Sequence, residues 1–283
     1  AAFIMQEVAD AALPKGLFQI AYGSGKLGKA LTAARSVDAI SFTGSVEIGR
    51  IVAQAAAANL TEISLELGGK NPAILNDTSD LEVTLDQIYM AAFAVCGQRC
   101  TAISRVIVRR ALEAEVVEGL AKRAQAARIG DGLDTNTTVG PLMGEKARND
   151  VAGFVDRART AGAKVAAGGN TIEQNGGYFY APTILSNVTP DMEIAREEVF
   201  GPVVAVIPYD TPNQALEICN DVEFGLSACL YSEQTPLTDR FIAEAESGMI
   251  HVNCGSFPED HAPFVGVKNS SLGVGGSNGT STM

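Results

Sequence analysis

The sequence predicts an α/β fold with largely parallel strands. Short runs of β-branched and other apolar residues alternate with longer stretches of helical periodicity along most of the 283 residues. Glycine-bearing turns separate many of these runs and stretches, as expected for repeated strand–turn–helix units. A hydrophobic content of 46% with only 19% charged residues is typical of a compact chain that is long enough to bury a core.

The first quarter of the chain predicts three strand–turn units. Strands are expected at 17–21, 38–42 and 62–66, with one helix ending at about residue 34 and another over 46–59. Gly68 and Gly69 directly follow the third strand, and two consecutive glycines provide a natural hinge between domains.

The chain after the hinge predicts a second unit of the same kind. Asp80 is expected to cap a helix that ends near Val95. Further strands are expected at 72–75, 104–108, 203–207, 228–231 and 249–252, and amphipathic helices at 112–128 and 145–161. The segment 130–142 is expected to be a polar surface loop, and the Gly/Ser-rich tail from Ser270 to Met283 to be flexible.

Charge and composition exclude several classes of function. A net charge of −12 without any basic run argues against nucleic acid or an anionic membrane as a partner. His251 and His261 are the chain's only histidines, so no histidine-rich metal site is expected. The five cysteines lack paired spacing, which indicates free thiols in a reducing compartment such as the cytoplasm. No apolar run approaches the roughly 20 residues that a membrane span needs.

Cys100 and Glu66 are the pair of residues with the clearest chemical potential. A thiolate can attack a carbonyl carbon to form a covalent intermediate, and a carboxylate can activate the water that discharges it. Gly97 is expected to expose the thiol, and the neighbouring Arg99 to favour the thiolate. From the residues alone, Cys100 could also be a core thiol, and Glu66 could be paired with Lys70.

Two glycine-bearing turns are candidates for binding a dinucleotide. The segment 42–49 is a strand-to-helix turn that contains Gly44 and Ser45, and 23–28 fits a G-x-G-x-x-G pattern. Either turn could instead be an ordinary helix start, capped in the first case by Ser45.

The segments 65–70 and 97–100 resemble the two signature motifs of the aldehyde dehydrogenase superfamily, and the resemblance continues from about Phe18 to about Gly273. It implies NAD(P)-dependent oxidation of a small aldehyde, with Cys100 as the nucleophile and Glu66 as the base. Relatives that transfer the acyl group to CoA generally lack this glutamate. Cys96 is then a packing residue.

The same resemblance implies a cofactor site and a domain layout. It assigns contacts with NAD or NADP to the side chains or backbone of six residues: Gly44, Ser45, Leu67, Gly68, Glu198 and Phe200. Residues 1–68 would be the C-terminal part of a Rossmann-type cofactor domain, 69–253 the catalytic domain, and 254–283 a segment returning to the substrate tunnel.

Phe257 and Phe264 would line that tunnel. Val265 replaces a glycine that is usual in the family, and 271–276 also departs from its pattern. The family's oxyanion asparagine and adenosine-ribose segments have no counterpart in this sequence, so we expect the chain to be a piece of a longer enzyme that forms a homodimer or homotetramer.

Two alternatives to an active dehydrogenase remain open on the sequence. The chain could fold as a non-catalytic piece of such an enzyme. It could also be a cysteine hydrolase that uses Cys100 with His251 and Asn253, although the sequence has no tryptophan and no papain-like cysteine motif.

Overall fold

The computed structural model describes residues 2–273, and it contains the predicted alternation of helices and strands. The α-helices are α1 (Ala2–Ala12), α2 (Gly25–Thr32), α3 (Val46–Ala57), α4 (Leu81–Phe93), α5 (Glu113–Gln125), α6 (Glu145–Thr160), α7 (Glu193–Arg196), α8 (Pro212–Asn220) and α9 (Thr235–Glu244). The longer strands are β1 (Ala39–Thr43), β2 (Glu62–Glu66), β3 (Asn71–Leu75), β4 (Ile103–Arg109), β5 (Lys164–Ala167), β6 (Thr171–Gln174), β7 (Gly177–Tyr180), β8 (Thr183–Ser186) and β9 (Val203–Tyr209). The strands β10 (Phe224–Gly225), β11 (Ser227–Tyr231), β12 (Met249–Val252), β13 (Val267–Lys268) and β14 (Ser271–Gly273) complete the described chain.

A seven-stranded sheet, here called the large sheet, forms the centre of the molecule. Its strand order is β12-β11-β3-β4-β9-β8-β5, and all neighbours are parallel except β5 with β8. Alternate residues of β4 face opposite sides: Ile107 packs with α6, α8 and α9, whereas Val106 and Val108 pack with α4 and α5. Helices therefore cover both faces, which explains why the parallel strands are almost wholly apolar.

A three-stranded sheet, here called the small sheet, lies beside it. β1 and β2 are parallel, and β14 adds to the other edge of β2 in the antiparallel direction. Its buried core consists of Val52 from α3 together with Leu65 and Leu67. The chain passes from the small sheet to the large one between β2 and β3, which is where Gly68 and Gly69 lie.

The α/β class is confirmed. The predicted strands and helices are also confirmed between residues 25 and 128, between residues 145 and 161, and at β9, β11 and β12. The predicted strand over 17–21 is wrong. Leu17 is 69% exposed, and no neighbouring strand pairs with this segment. Instead, the Gln6 side chain accepts a bond from the Ile20 N–H and donates one to the Phe18 carbonyl. A side chain thus takes the place of a strand partner.

Two loop predictions need correction. The segment 130–142 is largely exposed, but Val139 and Leu142 are buried in the core beneath α6. In the tail, Ser270 is fully buried and β14 is a paired strand, while 274–283 lies outside the described residues. The boundaries proposed for the three parts of the chain stay a prediction.

Short elements after residue 160 were not anticipated. The strands β5–β8, the helix α7 and the two-residue pair β10–β13 are too short to show a clear periodicity, and neighbouring elements stabilise them. The helices α8 and α9 are amphipathic and have a proline in the first turn, and Thr211 caps α8, so the sequence did contain signals for them. Among residues 2–273, every helix is too short or too polar to cross a bilayer.

Candidate active site

A cavity of about 570 Å³ lies where the small and large sheets meet. Most of the residues predicted to act on a cofactor or substrate line it together: Gly44, Ser45, Leu67, Gly68, Cys100, Glu198 and Phe200. Sequence reasoning assigned no contact in this cavity to Thr43, Gln98, Thr101 and Pro258, which also line it, as does Arg99. The cavity is thus built from the ends of β1 and β2, the loop before β4 and the segment after α7.

A sharp turn after α4 presents Cys100 to the cavity. Val95, Cys96 and Gly97 all have positive φ angles, of 55°, 57° and 67°, which redirects the chain directly after the helix. Gly97 also lies against the backbone carbonyl of Gly201, so a Cβ atom would not fit there. Cys96 is buried, and burial raises the pKa of its thiol to about 12. Its place in the core agrees with the predicted packing role.

Two polar side chains hold the backbone around Cys100. The Asn71 amide donates to the carbonyls of Cys100 at 2.7 Å and Ala102 at 3.0 Å, and its oxygen accepts from the Ser227 N–H at 3.1 Å. The Ser256 hydroxyl donates to the Thr101 carbonyl at 2.6 Å. Since Asn71 begins β3 and is itself buried, these bonds fix the position of the nucleophile relative to the large sheet.

The Cys100 thiol is half-buried, and its surroundings disfavour the thiolate. Burial is the main cause that raises its pKa, and the charges of Glu198 and, less strongly, Glu66 act in the same direction. The backbone N–H groups of Thr101 and of Cys100 itself act in the opposite direction. The Arg99 guanidinium and the Cys100 thiolate attract each other, as expected, but burial has the larger effect and the pKa of the thiol is raised.

The Arg99 guanidinium is held at the edge of the cavity. Its Nη2 donates to the Ala91 carbonyl at 2.9 Å, and its Cζ lies 4.4 Å from the centre of the Phe257 ring. Burial lowers the pKa of Arg99, an effect partly offset by the nearby Cys100 thiolate.

Glu66 ends β2 and directly precedes the lining residues Leu67 and Gly68, but it does not itself line the cavity. Its Oε1 accepts from the Ser271 hydroxyl at 3.4 Å, whereas its Oε2 is buried without a hydrogen-bond partner. Burial raises the pKa of this carboxyl, and Ser271 offsets only part of the effect. The bond with Ser271 replaces the pairing with Lys70 that the sequence left open.

Glu198 is fixed against the glycine hinge. Its Oε1 accepts from the Gly69 N–H at 3.1 Å, and its carboxylate lies so close to Gly68 that no Cβ would fit there. Burial raises the pKa of Glu198, and the Gly69 N–H and the Lys70 charge act against it. Lys70 is only 2% exposed, and burial is the main cause that lowers the pKa of its ammonium to about 7.

The turn before α3 is both a helix cap and part of the cavity wall. The Ser45 hydroxyl accepts from the Ile48 N–H at 3.3 Å, and the Gly44 N–H bonds the Glu66 carbonyl at 3.1 Å. Glycine at 44 is required because a Cβ would meet the Phe42 ring at 2.5 Å. The other candidate turn, 23–28, starts α2, where Ser24 is the cap, and it does not line this cavity.

The predicted tunnel residues lie apart from one another. Phe257 lines a second cavity of about 430 Å³ with Met90 and His251, and Pro258 lines the first. Phe264 is half-buried and lines neither cavity.

The geometry does not support the hydrolase alternative. His251 lines the second cavity, whereas Cys100 lines the first. The Asn253 side chain exchanges hydrogen bonds with the backbone of Ser232 at 3.0 and 3.2 Å. Within residues 2–273, no cluster of three or more His, Cys, Asp or Glu side chains is placed to hold a metal ion.

Ser270 supports the site in a way that sequence reasoning missed. Its hydroxyl donates to the Gly68 carbonyl at 2.7 Å and accepts from the Gly225 N–H at 2.9 Å. Its carbonyl accepts from the Leu67 N–H at 2.8 Å. A serine at the start of a Gly/Ser-rich segment that was expected to be flexible gave no sign of this role except its place in the C-terminal family motif.

Known proteins resemble the chain closely in sequence. The alpha-ketoglutaric semialdehyde dehydrogenase of Bacillus subtilis (strain 168) is 39% identical over 267 residues, which is 93% of this chain and 55% of that protein. A betaine aldehyde dehydrogenase of Brucella anthropi is 36% identical over 277 residues, 97% of this chain and 56% of that protein. The chain thus spans about half the length of the curated relatives it matches.

Solved structures share the fold. Lactaldehyde dehydrogenase from Escherichia coli superposes with a TM-score of 0.93 and 33% identity, over 98% of this chain and 58% of that one. Betaine aldehyde dehydrogenase from Staphylococcus aureus, in complex with NAD+, superposes with a TM-score of 0.91 and 32% identity, over 95% of this chain and 54% of that one. The model of the aldehyde dehydrogenase family matches residues 1–283, and the chain belongs to that family.

Proposed function

We propose that this chain carries the nucleophile, the base and part of the cofactor site of an NAD(P)-dependent dehydrogenase that oxidises an aldehyde to a carboxylic acid. The observation that carries the proposal is that Cys100 shares one cavity with Glu198 and the Gly44–Ser45 turn. Glu66 does not line this cavity, but its charge is near enough to Cys100 to raise the pKa of the thiol. Family membership supports the same reaction.

In this mechanism Cys100 attacks the aldehyde carbon through its thiolate, giving a thiohemiacetal. The backbone N–H groups of Cys100 and Thr101, which already lower the pKa of the thiol, support the negative charge that develops at the reacting centre. Because burial raises the pKa of Cys100, the resting thiol is largely protonated at neutral pH and must lose its proton before it attacks. Cys100 is partly exposed, so this proton can pass to solvent without the help of Glu66.

Glu198 and the Gly44–Ser45 turn would hold NAD(P), which would supply the hydride acceptor for the oxidation of the thiohemiacetal to a thioester on Cys100. We propose that Glu66 then activates the water that hydrolyses the thioester. Its buried Oε2 bonds no residue of 2–273, and a water that enters beside it during deacylation would satisfy this acceptor. The raised pKa of Glu66 brings it closer to neutral pH than an ordinary glutamate, which suits a general base.

The residues present fit a nicotinamide nucleotide. Glu198 offers a fixed carboxylate for ribose hydroxyls, and Phe200 and Leu67 offer apolar contact for a ring. Gly44 and Ser45 lie at the N-terminus of α3, where free N–H groups and the helix dipole favour a phosphate. Gly68 leaves room for the Glu198 carboxylate, which lies against it. The complex of the Staphylococcus aureus relative with NAD+ supports this assignment.

We propose a small aldehyde as the substrate. Relatives are named for alpha-ketoglutaric semialdehyde and for betaine aldehyde, two aldehydes of opposite charge. Assembly as a homodimer or homotetramer and a cytoplasmic location are part of the proposal, and they rest on the family resemblance and on the cysteine pattern alone.

The proposal is tested by separating the two half-reactions in the full-length protein. Cys100→Ala should abolish aldehyde oxidation while cofactor binding is retained. Glu66→Gln should keep a rapid burst of NAD(P)H of about one equivalent per site and then turn over very slowly, because acylation does not need the activated water. Cys96→Ala is the matched control, since that thiol is buried in the core.

Two results would count against these roles. Loss of the burst in Glu66→Gln would mean that Glu66 activates Cys100 rather than water. Full activity in Cys100→Ala would remove the nucleophile from the mechanism.

A second candidate function is that of a non-catalytic piece: these 283 residues fold but do not catalyse alone. This is favoured because the chain covers only about half the length of its relatives. Titration of the isolated chain with NAD(P) would decide between the two. Tight binding and turnover comparable to the full-length protein would exclude it.

A further inference from the structure

The charge of the preferred aldehyde can be inferred from Arg99. Among the charged residues that line the 570 Å³ cavity within the described chain, Arg99 supplies the positive charge and Glu198 the negative charge. Glu198 already accepts the Gly69 N–H and lies near the Lys70 ammonium, so its charge is compensated by the protein. Arg99 has no such partner.

The bonding of the Arg99 guanidinium is incomplete. Its Nη2 bonds the Ala91 carbonyl, its Nε is buried without a partner, and it forms no ion pair with any residue of 2–273. A guanidinium has five N–H donors and is most stable when a carboxylate accepts two of them. The stacking of Phe257 on the guanidinium keeps it in place but leaves its edge unpaired.

Arg99 lies close enough to Cys100 for the charges of the two side chains to interact. It directly precedes Cys100 in the chain, and both residues line the same cavity. The half-buried state of the side chain lowers the local dielectric, so an anionic group a few atoms from the reacting carbonyl would be attracted more strongly than at the open surface.

The acidic residues near the second cavity offer a weaker alternative. Asp86 is paired with Arg123 at 2.7 Å, with its side chain 69% exposed, and Glu259 is also exposed. An aldehyde with a cationic group could approach them beside the Phe257 ring. Exposed carboxylates contribute little, however, because water and salt screen them.

We propose that Arg99 gives this site a preference for aldehydes that carry a carboxylate a few atoms from the carbonyl. The inference rests on the proposed function of Cys100 as the nucleophile. Arg99 acts as a specificity-determining residue: it binds the distal carboxylate of the substrate and takes no part in bond making or breaking.

The test measures the rate at which the Cys100 thiolate reacts with three methanethiosulfonate reagents. Their tails are a sulfonatoethyl group, which stands in for the carboxylate, a trimethylammonioethyl group, and an uncharged methyl group. In each reaction the thiolate attacks the sulfur that bears the tail, forms a mixed disulfide and releases methanesulfinate. The full chain is used in a Cys254→Ser background, because Cys254 is exposed. Peptide mass spectrometry confirms the labelled site.

The result is expressed as a ratio: the rate with the sulfonate reagent divided by the rate with the uncharged reagent. A change in the pKa of the thiol alters both rates equally and therefore cancels in this ratio. Arg99→Gln should lower this ratio by about tenfold, and Arg99→Lys should keep most of it. The same ratio for the trimethylammonio reagent should rise in Arg99→Gln. Arg110→Gln, at an exposed site paired with Asp210, is the control and should change neither ratio.

Unchanged ratios in Arg99→Gln would overturn the proposal. A preference of the unsubstituted Arg99 protein for the trimethylammonio reagent would also overturn it, and would favour a cationic aldehyde instead. If Cys100 reacted with none of the reagents, the proposed nucleophile itself would be wrong.

A second measurement uses the full-length enzyme with 4-oxobutanoate and pentanal, which are similar in length. Arg99→Gln should lower kcat/KM about tenfold for 4-oxobutanoate and much less for pentanal. An equal loss with both aldehydes would indicate a general structural role and overturn the proposal.

Discussion

The large and small sheets meet at one cavity but differ in how completely they are buried. Every residue of β3 and β11 is buried, and helices cover both faces of the large sheet. In the small sheet, β1 alternates exposed and half-buried residues, and β2 buries only Leu65. Apolar burial is the main stabilising contribution to folding, so the two sheets should differ greatly in local stability.

The difference in burial between the two sheets also divides the residues of the candidate active site into two groups. Cys100 belongs to the large sheet, to which Asn71 and Ser256 bind its loop. Glu66 and the Gly44–Ser45 turn belong to the small sheet. The atom that forms the covalent bond is thus held by the most buried part of the molecule, whereas the base and the cofactor turn lie where small movements cost less.

The largest expected difference is in amide hydrogen exchange. The central amides of β4 should exchange at least about a thousandfold more slowly than those of β1, because opening β4 requires disruption of both faces of the core. Mass spectrometry of peptides covering Ile103–Arg109 and Ala39–Thr43 would measure it. Equal protection of the two strands would refute the comparison.

A matched pair of truncations should show the same asymmetry in global stability. Ile107→Ala removes a fully buried side chain and should lower the free energy of unfolding by about 2–5 kcal/mol. Ile40→Ala, at a half-buried position of β1, should cost about 1 kcal/mol, because less apolar area is lost. Urea unfolding of the two variants gives both values, and a larger effect at Ile40 would reverse the interpretation.

The link between the sheets should make stability depend on pH through Lys70. Burial lowers the pKa of its ammonium from 10.5 to about 7, so the unfolded chain retains this proton at pH values where the folded chain has lost it. Stability should therefore increase as pH rises from about 7 towards 10.5, with a slope of up to about 1.4 kcal/mol per pH unit. Lys70→Met should remove this slope, whereas Lys146→Met, at an exposed site, should keep it. A slope unaffected by Lys70→Met would mean that another group causes it.

The smallest effect concerns the edge of the small sheet. Ser271→Ala removes the hydroxyl that opposes the raised pKa of Glu66, so that pKa should rise further. Deacylation needs the carboxylate form of Glu66. As the pH is lowered, the variant should therefore lose deacylation at a higher pH than the unchanged protein. The free energy of unfolding should decrease by only about 0.5–1 kcal/mol. An acidic limb that moves to lower pH would show that Ser271 does not stabilise the charged form.

Much of the fold could be predicted because the large sheet has strong local signals. Continuous apolar runs such as β4 and capped helices such as α4 specify their own structure. The error at 17–21 has the opposite cause. An apolar run forms a strand only when a partner is present, and there the Gln6 side chain is the partner. The short strand β14 was missed because its stability comes from pairing with β2.

The site shows the same division. The family motifs predicted most of the residues that line the cavity, because thiol and carboxylate chemistry is specific to residue type. They did not predict the pKa of Cys100, which depends on burial and on the charges of Glu198 and Glu66 from distant parts of the chain. The hydrogen bonds of Asn71 and Ser270 were missed for the same reason, since each joins segments far apart in sequence.

The pairing of β14 with β2 also has a consequence for the order of assembly during synthesis. Ser271, the hydrogen-bond partner of Glu66, lies 205 residues further along the chain. Ribosomes add about 5–20 residues per second, so β2 emerges roughly 10–40 seconds before its second neighbour exists. Cys100 and its partner Asn71, by contrast, are separated by only 29 residues. The loop of Cys100 also needs Ser256, 155 residues after Thr101, so neither the nucleophile nor the base is fully held until the last part of the chain has been made.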